Sequence, residues 1–73
     1  MKIGVECDVG GKGEPTPQRL SFGGRTVEVA EVVDQWLAPD HRYFKVIGTN
    51  GAIYIVRHDV AQNEWELTLF TRR

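Results

Sequence analysis

From Tyr43 onward, apolar residues come in three short runs separated by turn formers. Tyr43-Phe44-Lys45-Val46-Ile47 is followed by Asn50-Gly51 and then by Ile53-Tyr54-Ile55-Val56-Arg57. A second turn signal, Asp59 to Asn63, leads into Trp65-Glu66-Leu67-Thr68-Leu69-Phe70. Asn-Gly between apolar runs is a strong hairpin signal, because a type I′ turn needs positive φ at both central residues. The three runs read as an antiparallel meander. A two-residue turn pairs Ile47 with Tyr54, Lys45 with Val56 and Tyr43 with His58. If the next turn pairs His58 with Trp65, one face holds Tyr43, Ile47, Tyr54, Val56, Trp65, Leu67 and Leu69. The other holds Phe44, Val46, Ile53, Ile55, Arg57, Glu66, Thr68 and Phe70.

Upstream, Gln18 to Val29 folds at Gly23-Gly24. That turn sets Phe22 against Arg25, Leu20 against Val27 and Arg19 against Glu28. Leu20, Phe22, Val27 and Val29 then share one face, so a single register satisfies both the apolar pattern and the charges. The run Arg25 to Leu37 is too long for a straight strand, since strands usually extend about 17–20 Å. Its apolar phase changes between Val29 and Val32. A bulge near Ala30-Glu31 accounts for both features. A helical turn over Glu31–Leu37 is the alternative, and the valine content favours the bent strand.

Lys2 to Val9 alternates weakly and predicts a further short strand. Gly10-Gly11-Lys12-Gly13-Glu14-Pro15-Thr16-Pro17 breaks regular structure and reads as a flexible arm. The expected organisation is therefore an N-terminal strand and arm over 1–17 and one β-domain over 18–73. Neither meander face is polar, whereas an open two-layer sheet leaves one face solvated. The sheet should therefore curl on itself, be covered by the N-terminal hairpin or meet another subunit. The predicted fold is all-β, a small, strongly bent antiparallel meander or SH3-like barrel of about five strands.

Composition narrows the function classes. A chain of 73 residues buries only about 60–65% of its unfolded surface and has a small core. No apolar run reaches the ~18 residues of a membrane span. Acids stand where a signal peptide needs an apolar centre. The single cysteine, Cys7, forms no internal disulfide and suits a reducing compartment. The expected location is the cytoplasm. Nine basic and ten acidic residues give a net charge of −1, which counts against a dedicated nucleic-acid binder.

Candidate chemistry is sparse. Gly10-Gly11-Lys12-Gly13 lacks the spacing and the Ser/Thr of a phosphate loop, and Pro15 and Pro17 deny it the following helix. Cys7, His41 and His58 are the soft ligands, with Asp40 and Asp59 beside the histidines. No metal-site spacing connects them, so no metal and no cofactor is expected. Ser21, the sole serine, lies on the polar face of a hairpin, and Cys7 on the apolar side of a strand. Neither is placed as a nucleophile. Phe44, Arg57, Phe70 and Arg72, with Arg73, gather on or beside the second meander face and form the candidate binding set. Aromatic rings with arginines suit single strands of nucleic acid. The plainer reading is that these apolar groups cover a core or form a dimer interface.

Phe22-Gly23-Gly24-Arg25, Val29-Ala30-Glu31-Val32-Val33-Asp34-Gln35-Trp36 and Tyr43-Phe44-Lys45-Val46 resemble segments of a group of short, uncharacterised bacterial proteins. Those share an F-x-G-G-R turn, here without its spacer, a V-x-x-V-x-D-x-W segment, a Y-F-K-V strand and a closing Y-I-x-R-x-D…W-x-L stretch. The resemblance covers roughly Gln18 to Phe70. It implies a free-standing bacterial domain and carries no catalytic residue. The expected function is a non-catalytic binding or protein-interaction module, with a protein partner or second copy. A single-stranded nucleic-acid binder is the first alternative. A metal-binding or catalytic subunit using His41, His58 and Cys7 is the second.

Overall fold

The Gly23-Gly24 turn forms the hairpin that its glycines predict, with both residues at positive φ (57° and 74°). The computed structural model describes residues 1–9 and 15–71, the side chains of 8, 9 and 15 excepted. Within them run six strands: β1 Lys2–Val9, β2 Pro15–Phe22, β3 Arg25–Leu37, β4 His41–Gly48, β5 Ile53–Asp59 and β6 Glu64–Thr71. Each pairs antiparallel with the next, and β1 pairs with β6, closing a small barrel. The all-β barrel is as the pattern predicts, with six strands rather than about five. The additional strand pairing comes from β1 and from the start of β2. Residues 10–14 of the expected arm lie outside the described residues, but Pro15 to Pro17 belong to β2. Among the described residues, no helix is long and apolar enough to cross a membrane.

The β2–β3 register matches expectation at each pair, including Arg19 with Glu28 and Leu20 with Val27. Arg19 lies between Glu28 (2.8 Å) and Glu6 (2.7 Å) on the outer surface. β3 is one bent strand of 13 residues. Its pairing with β4 shifts between Val29 and Glu31 and again between Val32 and Asp34. The first shift is the bulge inferred at Ala30.

The β4–β5 register differs from expectation by one residue. Ile47 pairs with Ile53, Val46 with Tyr54 and Phe44 with Val56. The Gly48 N–H donates to the Ala52 carbonyl (2.9 Å), and the Gly51 N–H donates to the Gly48 carbonyl. Only Gly51 has positive φ here (85°). The loop is thus three residues, Thr49 to Gly51, ending in a left-handed glycine, and not a type I′ turn. An odd shift reverses a strand's faces. Phe44 and Val46 therefore point inward, while Tyr43 and Ile47 point outward.

The core is Ile3, Leu20, Val27, Phe44, Val46, Ala52, Tyr54, Val56 and Trp65. Leu20, Val46 and Val56 are fully buried. Gly48 is the close-approach point, since a Cβ there would lie 2.7 Å from Val27 Cγ1 and 3.1 Å from the Tyr54 ring. Asn50 fastens the same corner. Its amide donates to the Tyr54 hydroxyl (2.9 Å), and its Oδ1 accepts from the Ala52 N–H (3.1 Å).

Candidate functional site

Antiparallel connectivity brings the ends of β1, β3 and β5 and the starts of β2, β4 and β6 to one end of the barrel. The cysteine, both histidines and both tryptophans stand there, on residues 7, 41, 58, 36 and 65. That end is also where the barrel wall parts. β1 pairs with β6 only through Lys2 and Ile3. Among the described residues, β2 pairs with β3 only from Arg19 to Phe22, and β3 beyond Glu28 pairs only with β4. The ribbon of β1 and β2 therefore stands away from both neighbours, with a cleft on each side. Pro15 and Pro17 fall where β2 is paired on one side only. Proline, lacking a backbone donor, is tolerated at such an edge.

The cleft on the β6 side has a volume of about 560 Å³ and is bordered by Val5, Cys7, His58, Asn63 and Trp65. His58 is buried, stacked on Trp65 with ring centroids 4.2 Å apart. Its Nε2 lies 2.9 Å from Asn63 Oδ1. A carboxamide oxygen only accepts, so Nε2 is the donor in this contact. Nδ1 is buried without a hydrogen-bond partner among the described residues. Asn63 holds its position in a left-handed turn conformation (φ 52°). Burial pushes the Cys7 thiol up from its ordinary value, away from the nucleophilic thiolate. His41 lies 3.8 Å from Asp59 and pairs with it when protonated. Among the described residues, no group of three or more His, Cys, Asp and Glu side chains could hold a metal ion.

The cleft on the β3 side is about 300 Å³ and lies between the start of β2 and the β3–β4 pair. Thr16, Gln35, Trp36, Arg42, Tyr43 and Phe44 line it, with Leu37 at its rim. Trp36 and Tyr43 are cross-strand partners. Their rings stack in parallel, with centroids 5.4 Å apart and planes 2° apart. The indole nevertheless remains 41% exposed and Leu37 78% exposed. A row of outward side chains continues across the sheet from Tyr43 to Arg57 and Glu66. Arg57 is bonded to Glu66. This pairing lowers the Glu66 carboxyl below its ordinary value and, with a smaller contribution from the Tyr43 hydroxyl, raises the Arg57 guanidinium.

The residues expected to bind together are spread apart. Phe44, expected beside Arg57, is a core residue at 5% exposure, and one edge reaches the floor of the β3-side groove. Arg57 is on the outer surface, committed to Glu66. Phe70 is half-exposed at the far end of the barrel, stacked on Tyr54 with centroids 5.1 Å apart. A register shift between Ile55 and Val56 carries it onto Tyr54's side of the sheet. Arg72 and Arg73 lie outside the described residues. Cys7 and His58 border the same cleft, whereas His41 is not among the residues bordering it. The groove residues Trp36, Arg42 and Tyr43 were not singled out by the sequence. The signal that could find them is the pair of prolines in β2, which marks an edge and therefore a gap beside β3.

No protein-family model, curated protein or solved structure matches this chain.

Proposed function

We propose that this protein is a non-catalytic protein-interaction module, and that the groove between β2 and the β3–β4 pair receives a short segment of its partner. The observation that carries the reading is the stacked Trp36–Tyr43 pair at the edge of that groove. Aromatic residues and arginine dominate binding energy at protein contacts because they present large, rigid area with a polar handle. Here both rings and Arg42 converge on one concavity, while Leu37 is left almost fully in solvent. The chain's net charge of −1 weighs against the run of phosphate contacts that a nucleic-acid backbone would need. The raised Cys7 thiol and the stacked, hydrogen-bonded His58 weigh against nucleophilic chemistry in the other cleft. The single, half-buried thiol accords with work in a reducing compartment such as the cytoplasm.

Selection from a displayed library of random short peptides tests this reading. Panning on the protein and on the Trp36→Ala/Tyr43→Ala variant in parallel should enrich peptides retained only by the former. Equal enrichment on both would contradict the groove as the site. Retention of oligothymidylate in place of peptides would contradict the function.

A further inference from the structure

The two strand edges that flank the groove decide what conformation it accepts. An extended segment adding to a sheet needs a continuous row of backbone donors and acceptors. Neither edge provides one. The β3 ladder is broken by two register shifts, around Ala30 and Val33. The Gln35 N–H is already taken by the Asp34 carboxylate, which accepts it at 2.8 Å. On the facing edge, Pro15 and Pro17 have no N–H to offer. Bulges, prolines and side-chain caps of this kind are how sheet edges resist strand addition.

The groove's own chemistry is one-sided in a complementary way. Its apolar lining is aromatic: Trp36, Tyr43 and the edge of Phe44. Among the described residues, Arg42 is the only charged side chain that lines it, and no carboxylate does. Thr16, Gln35 and Trp36, which line it, all carry side-chain donors. Such a surface asks for a ligand rich in free acceptors, with flat apolar rings and a negative charge. A polyproline II segment fits that description. It makes no internal hydrogen bonds, so its carbonyls are free to accept, and its conformation is already restricted before binding.

Building on the interaction-module reading above, we infer that the groove binds a proline-rich segment in polyproline II conformation with an acidic residue beside the prolines. The pyrrolidine rings lie against Trp36 and Tyr43, the segment's carbonyls accept from the groove's donors, and the acid meets Arg42.

Titration followed by nuclear magnetic resonance, read at the backbone amides of the groove residues, tests the inference with defined probes. A peptide of about twelve residues repeating Pro-Pro-Asp should bind. Trp36→Ala should weaken it by roughly tenfold or more, as expected for a central aromatic. Arg42→Gln should reduce its affinity to that of a Pro-Pro-Gln repeat. Urea midpoints of both variants separate lost binding from lost fold. A Gly-Gly-Asp repeat binding as tightly as Pro-Pro-Asp would overturn the polyproline II occupant and leave the interaction module standing. No shift with Pro-Pro-Asp at about 1 mM, the weak end of specific association, would overturn the inference. Trp36-dependent binding of oligothymidylate in its place would overturn both the inference and the module.

Discussion

Single side chains at the split end show which groups are committed to the fold. Glu66 is tied to Arg57 on the outer face, and the pairing holds its carboxyl below the ordinary value near 4.5. A carboxyl with a folded-state value below its unfolded one stabilises the fold above the unfolded value, and that contribution fades as pH falls through the folded one. The expected outcome is a Glu66→Gln variant less stable than the parent at neutral pH. The gap should close as urea midpoints are followed downward from about pH 4.5. Both groups are about one-third exposed, so the difference should be small and should shrink in high salt. Trp36 is the contrasting case, since 41% of it remains in water despite a good stacking partner.

At the scale of strands and hairpins, the β4–β5 corner is the most constrained element. Gly48 has no room for a side chain, because Val27, Asn50 and Tyr54 occupy the space. Gly51 has room but sits at positive φ (85°). Gly48→Ala should therefore cost about 1–3 kcal/mol through overpacking, and Gly51→Ala only about 1 kcal/mol through backbone strain. Denaturant unfolding of the two variants checks the order, and a Gly51→Ala that is the costlier change would contradict this account of the corner. The same corner explains where sequence pattern succeeded and where it did not. At Gly23-Gly24 the loop is two residues, both glycines, so the register of Arg19 with Glu28 could be read directly. At Asn50-Gly51 a similar cue pointed to the wrong loop length. Asn50 keeps an ordinary φ and uses its amide to bridge Tyr54 and Ala52, which draws Thr49 into the loop. One residue of difference exchanged Phe44 for Tyr43 on the inner face. That exchange hid the Trp36–Tyr43 pair, since the expected register puts Tyr43 on the face of Tyr54 and Val56. The bend in β3 was legible because valine phase records it, whereas the gap between β2 and β3 depends on pairing between segments that no local pattern encodes.

For the whole molecule, the organising feature is a barrel closed at its middle and split at one end. Leu20, Val46, Tyr54 and Val56 fill the closed part. The β1–β2 ribbon separates from both neighbours at the split end, where two clefts and most of the distinctive side chains are found. In so small a domain the core has little surplus stability, so aromatic surface left exposed at that end calls for an explanation outside the fold. The two tryptophans divide accordingly. Trp65 is 8% exposed and packs on Phe44 and His58, and truncating it should cost about 3–5 kcal/mol. Trp36 contributes mainly a surface stack, worth about 0.5–1.5 kcal/mol beyond its contact area. The most direct test is to measure, for Trp36→Ala, the urea midpoint and the affinity for a groove-selected peptide on one protein preparation. The account predicts a loss of stability of about 1 kcal/mol together with loss of peptide binding. A large loss of stability with binding unchanged would contradict it, by placing Trp36 in the fold and the binding surface elsewhere.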